Sequence, residues 1–196
     1  MTRADEKVTP DQDVMLSSDA ILLRAFGLED AEAIFEAVVE SKNELARWLP
    51  WCHDKYSIAD ALEFLKGRGD AFRNDGDYGF VIIERATGRF VGATGINQLD
   101  KTARCANLGY WLRTSATGRG YAATSTLMVA RWAFESLDLE RIEIVVATDN
   151  HLSQRVAERV GATREGIARK RLHIGDTQHD AVIFSLVRDD VLKDNG

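Results

Sequence analysis

Apolar residues recur along the chain in two rhythms, short runs and stripes spaced three or four apart, and the switches between them mark its elements. Residues 14–16 and 20–24 flank Ser17-Ser18-Asp19 and predict a hairpin. Residues 29–39 predict a helix, with Ala33, Phe35, Ala37 and Val38 supplying apolar surface. In segment 45–51, Trp48-Leu49-Pro50-Trp51 puts two indoles into four positions. Ser57 and Asp60 match a capping box that opens a helix striped by Ile58, Ala61, Leu62 and Leu65.

Strands dominate next. Residues 80–84 and 90–94 are apolar runs separated by a loop of hairpin length, and 107–112 is a third strand. After Gly120, Ala123, Leu127, Ala130, Phe134 and Leu137 fall on one face of a helix. Residues 141–147 form a strand rich in Ile and Val. Leu152, Val156 and Val160 then stripe a short helix that Gly161 ends. Residues 167–174 and 181–187 read as a closing antiparallel pair around Gly175-Asp176. The pattern predicts one α+β domain over 14–192, preceded by a polar, mobile tail at 1–13.

Composition narrows the function. A chain of 196 residues, 45% hydrophobic and 29% charged, suits one soluble domain. Its net charge of −6 argues against a general nucleic-acid binder. No apolar stretch suits a membrane span or a secretory leader. Cys52 and Cys105 lack metal-ligand spacing, so reduced thiols in a cytoplasmic protein without a bound metal are expected.

The most informative segment is 108–122, where an apolar strand runs into Thr117-Gly118-Arg119-Gly120-Tyr121-Ala122 and a helix follows. A helix N-terminus behind a glycine turn offers backbone N–H groups to a phosphate, and without Cβ atoms the ligand approaches closely. Ordinary turns also carry glycines, so a second segment matters. Asn150 and Ser153 begin the next helix where strand 141–147 ends, beside a cleft shared with Tyr110-Trp111-Leu112 if the two strands are neighbours. Asn150 also suits a plain N-cap.

The order strand, Gly-Arg-Gly-Tyr-Ala, helix, strand, Asn-x-x-Ser-x-x-Val-x-Glu-x-x-Gly resembles the GNAT superfamily of acetyl-CoA-dependent N-acetyltransferases. More narrowly it resembles the Rim-type ribosomal-protein N-acetyltransferases, through Ile21-Leu22-Leu23-Arg24 with Glu29-Asp30-Ala31, the Trp48–Trp51 quartet, and Arg164-Glu165-Gly166 before the last hairpin. The resemblance covers nearly all of 20–190. It implies a mixed, mostly antiparallel sheet flanked by helices, with a splayed strand pair that binds acetyl-CoA. Tyr110, Trp111 and Leu112 would hold the pantetheine arm. Thr117, Gly118, Arg119, Gly120, Tyr121 and Ala122 would donate N–H groups to the pyrophosphate, Asn150 would contact the pantetheine region, and Ser153 would sit near the thiolate sulfur. A homodimer is also implied. The chain departs from the pattern at Ser115, where the superfamily often has Gln or Arg, and in having no tyrosine after Tyr121. Ser153 would then protonate the leaving thiolate.

The resemblance implies direct attack by the amine, a protein N-terminus or a small molecule such as a polyamine, amino sugar, antibiotic or modified nucleotide. A cofactor-sensing module without turnover is the reading from another class, since segment 167–173 lacks the carboxylate that relatives often place there. Glu143 and His173 are the candidate bases. Trp48 and Trp51 are candidates for the acceptor mouth, and Arg171, in the basic run Arg164, Arg169, Lys170, Arg171, for attracting an acidic acceptor or the cofactor phosphates.

Overall fold

The computed structural model describes residues 13–73 and 76–192; the expected tail, save Asp13, lies outside them. One eight-stranded sheet runs β1-β2-β3-β4-β5-β6-β8-β7. Its strands are β1 (Met15–Ser17), β2 (Ile21–Ala25), β3 (Tyr78–Glu84), β4 (Phe90–Asp100), β5 (Cys105–Leu112), β6 (Arg141–Ala147), β7 (Thr163–Ile174) and β8 (Thr177–Val187). The helices are α1 (Ala31–Leu45), α2 (Ile58–Lys66), α3 (Arg68–Arg73), α4 (Tyr121–Ser136), α5 (His151–Arg159) and α6 (Arg188–Val191). This is the expected mixed, mostly antiparallel sheet flanked by helices. Among the described residues no helix is long and apolar enough to cross a membrane.

Alternation along the strands divides the core in two. On one face Phe80, Ile82, Ile96, Leu108, Ile142 and Phe184 meet Val129, Ala130, Ala133 and Phe134 of α4. On the other, Val81 and Phe90 meet Ile34, Ala37, Val38 and Leu45 of α1 and Ala61 and Leu65 of α2, with Trp111 packed alongside. Three predicted stripes are only partly buried. Ile58 and Leu62 of α2, Leu127 of α4 and Leu152 of α5 are exposed, while α4 also buries Ser125, Thr126 and Trp132 beside its apolar face. Helix α4 therefore lies deep, covered on more than one side, rather than amphipathic on a surface.

The strand pair β5–β6 matters most for function. It is the parallel step in the sheet, and its pairing covers only Cys105–Asn107 against Arg141–Glu143. Beyond Asn107, β5 remains bonded to β4 as far as Leu112. Beyond Glu143, β6 remains bonded to β8 as far as Ala147. Leu108–Leu112 and Ile144–Ala147 are thus held from their outer sides while the sheet parts between them. Their facing main-chain groups are free to pair with an extended ligand.

Candidate active site

Helix α4 begins at the open end of this gap. Gly118 and Gly120 adopt φ of 77° and 83°, a left-handed backbone in which a Cβ is strained. The first bond of α4 runs from the Thr124 N–H to the Gly120 carbonyl, 3.0 Å, which leaves the N–H groups of Tyr121, Ala122 and Ala123 without an intrahelical acceptor. Such a terminus favours an anion through both its donors and its dipole. Thr117 departs from the expected donor set. Its N–H turns back to the Thr114 carbonyl at 3.2 Å, and its hydroxyl donates to the same oxygen at 2.8 Å.

The loop is held from below by residues that no local motif identified. Arg113 is buried, and its guanidinium donates to the Phe90 carbonyl and, from Nε at 2.8 Å and from NH2, to Glu40 of α1. The other oxygen of Glu40 accepts the Ser115 N–H at 2.9 Å, and Ser41 Oγ accepts the Thr114 N–H at 2.8 Å. Hydrogen bonding to Arg113, with help from Ser115, holds the Glu40 carboxyl down at about 2. Ser115 therefore serves as a docking point for α1. A second carboxylate, Glu84 at the end of β3, accepts from Thr87 Oγ1 at 2.6 Å, Tyr121 Oη at 2.6 Å and Arg119. These bonds, Thr87 first, lower its pKa and fix the start of α4 against the β3–β4 turn.

Across the gap, α5 starts where β6 ends. Asn150 is its N-cap, its side-chain oxygen accepting the Ser153 N–H at 3.1 Å. Tyr110 reaches over from β5: its hydroxyl donates to the Ser153 carbonyl at 3.0 Å and lies 3.0 Å from Ser153 Oγ. Burial pushes the Tyr110 phenol up to about 12, so it stays protonated at neutral pH. The sequence order, with no tyrosine after Tyr121, hid this pairing, because the phenol comes from 43 residues upstream.

Other candidates are placed differently. Glu143 lies at the closed end of the gap, opposite Asn107, and its Oε1 accepts from Arg141 Nε at 3.1 Å and NH2 at 2.9 Å. Arg141 also pairs with Glu165, which takes the Ser185 hydroxyl at 2.8 Å, so this network ties β6 to β7 and β8. Glu143 has a structural partner and not the free cleft position expected of a base. His173 is exposed near the β7–β8 turn, paired with Gln178, three residues along β8 beyond the Ala181 partner of Ala147. Trp51, 41% exposed, sets its ring edge-on to Trp111, 5.8 Å between centroids, and near Tyr56 at 6.0 Å. Trp48 lies under the Arg47 guanidinium, 5.5 Å from its ring centroid. Burial raises the pKa of both Cys52 and Cys105, a setting that suppresses the thiolate a nucleophile needs.

The family model described as an acetyltransferase (GNAT) domain matches residues 20–163. Among curated proteins, the "Putative ribosomal N-acetyltransferase YdaF" of Bacillus subtilis is 28% identical over 176 residues, spanning 87% of this chain and 93% of that protein. Among solved structures, one described as a "putative ribosomal-protein-serine acetyltransferase from Vibrio cholerae" is 30% identical with a TM-score of 0.80, over 90% of this chain and 98% of that one. RimL, the ribosomal L7/L12 α-N-protein acetyltransferase, solved with coenzyme A, superposes with a TM-score of 0.83 at 22% identity, over 90% and 99% of the two chains. That last likeness establishes the shared fold. Matched over most of its length and by a relative of 30% identity, the chain belongs to the GNAT family and is an acetyl-CoA-dependent N-acetyltransferase.

Proposed function

We propose that the acceptor is the N-terminal α-amino group of a protein, with a ribosomal protein as the first candidate. The observation that carries this reading is the state of the predicted bases: Glu143 is engaged by Arg141, and His173 is exposed to solvent near the β7–β8 turn with Gln178 as its strand partner. An α-amino group with a pKa of about 7.7–8.0 is roughly a quarter neutral near pH 7.4, whereas a lysine near 10.4 is neutral about one part in a thousand. The first needs only water to carry its proton away. The names of the relatives from B. subtilis and V. cholerae support the same acceptor class.

Acetyl-CoA would lie with its pantetheine arm along the free edge of Leu108–Leu112 and its pyrophosphate at the N–H groups from Gly118 to Ala122, within reach of Arg119. The amine attacks the thioester carbonyl, the C–N bond forms and the C–S bond breaks. Ser153 protonates the departing sulfur, and the proton shed by nitrogen returns through water to Ser153. Tyr110 acts as a positioning residue. Its single proton goes to the Ser153 carbonyl or to Ser153 Oγ, both 3.0 Å away, and in the second arrangement the serine proton is left free to face the sulfur.

Steady-state kinetics with N-terminally free peptides test this reading. Ser153→Ala is expected to lower kcat about tenfold, below the roughly 10²-fold or more usual for a general acid, because a thiolate is a good leaving group. The KM for acetyl-CoA should change little. Tyr110→Phe should lower kcat about fivefold and change the kcat of Ser153→Ala hardly at all, since both act through one hydroxyl. Unchanged kcat in Ser153→Ala would remove it from the acid role. Acetylation of a polyamine or amino sugar with no peptide acetylated would overturn the proposed acceptor.

A further inference from the structure

The chain is acidic, yet residues 151–174 carry six Lys or Arg against two Asp or Glu. One of those two acids, Glu165, is already consumed by Arg141. Arg164, Arg169, Lys170 and Arg171 are all exposed on β7, and among the described residues none of the four forms an ion pair. Strand β7 is the sheet edge, and its ladder with β8 is interrupted between Ala168 and Leu172, so Arg169, Lys170 and Arg171 form a bulge. The bulge is a built feature. Lys170 takes a left-handed φ of 52°, and its N–H donates to Asp180 Oδ1 at 2.8 Å.

Register sets the start of the bulge level with the end of β6, two strands from the active-site gap. Ala168 pairs with Ala181, and Ala181 with Ala147, the last residue of β6 before the turn into α5 and Ser153. With neighbouring strands about 4.8 Å apart, the basic bulge begins roughly 10 Å to the side of that turn. An extended acceptor rises about 3.3 Å per residue, so one that runs from Ser153 across β8 toward β7 would bring its third to sixth residues level with the bulge.

We propose that this bulge selects acceptor proteins whose chain is acidic at about the third to sixth positions, an inference that rests on the protein N-terminus being the acceptor. Charge complementarity commits the surface to acidic polypeptide. A nucleic acid fits it less well, because the only Phe, Tyr or Trp of the β7–β8 hairpin, Phe184, is fully buried and leaves no ring for a base to stack on. The chain's net charge of −6 also opposes a long polyanion.

The test is a set of eight-residue peptides with free N-termini, identical except for Glu or Gln at positions three to six. Wild-type enzyme should show kcat/KM about tenfold higher for the acidic peptide, mostly through KM, and the ratio should shrink severalfold between 50 mM and 500 mM NaCl. The double change Arg169→Ser with Lys170→Ser should bring the ratio to within about twofold of one. The salt series on wild type decides the matter even if that variant folds poorly. Acetylation of both peptides with equal kcat/KM would overturn the inference while leaving the acceptor reading standing. Absence of any peptide acetylation, with a free small amine accepted, would overturn both. An acidic preference abolished by added RNA at equal ionic strength would reassign the bulge to nucleic acid.

Discussion

Gly120→Asp is expected to weaken acetyl-CoA binding about 10²-fold, equivalent to about 2.7 kcal/mol. The reason is electrostatic rather than steric. A Cβ built at Gly120 meets nothing within 4 Å, so a side chain has room. Backbone strain at φ 83° is tempered because Asp and Asn are among the residues that visit the left-handed region. What Asp adds is a negative charge at the first turn of α4, beside N–H groups whose proposed ligand is a pyrophosphate. Gly120→Asn supplies the same shape without the charge, and calorimetry should show it losing no more than about tenfold. The gap between the two variants should narrow in high salt. Equal affinities for wild type and both variants would remove the pyrophosphate from this turn.

Much of this site was legible because its signals are local. Gly118 and Gly120 announce a turn, the stripe after them a helix, and Asn150 a cap three residues from Ser153. The splay between β5 and β6 followed from the family resemblance, and the pairing that stops at Asn107 and Glu143 matches it. What stayed hidden depends on partners distant in sequence. The sequence predicts this helix over residues 29–39; α1 runs from Ala31 to Leu45, past Glu40 and with Ser41 fully buried. Those two polar residues sit on the helix because the loop 73 to 75 residues later needs acceptors for its N–H groups. Strand β4 outruns its expected end for a related reason. Gln98, at φ 52°, shifts the register between Asn97 and Asp100, so hydrophobic alternation fades before the strand does. Helix α3 is six residues, too short to show a period. Glu143 and His173 had the right chemistry at positions whose neighbours only the sheet order reveals.

The Glu40–Arg113 pair supplies the other large effect, and its loss should be felt in stability and cofactor affinity together. Arg113's side chain is 6% exposed and Glu40's 28%, so removing the carboxylate strands a buried guanidinium with only the Phe90 carbonyl. Breaking a buried pair costs about 3–5 kcal/mol, and the partial exposure of Glu40 brings the expectation for Glu40→Ala to about 2–4 kcal/mol. For a chain of this length that lowers Tm by about 4–16 °C. The Ser115 N–H loses its acceptor as well, so the loop loosens and the KM for acetyl-CoA should rise severalfold. Glu40→Gln, which keeps an acceptor for Ser115 without the charge, should fall between. The pH dependence has a definite sign. Arg113 holds the Glu40 carboxyl at about 2, against 4.5 ordinarily, so its contribution is complete above about 4.5 and is lost as pH falls through 2. Glu165, held at about 2 by Arg141 and Ser185, adds loss in the same window. Wild-type Tm should therefore drop steeply between pH 4.5 and 2, and Glu40→Gln should show a shallower drop from a lower plateau. A Tm for Glu40→Ala within 2 °C of wild type, with unchanged KM for acetyl-CoA, would show that the loop does not depend on α1.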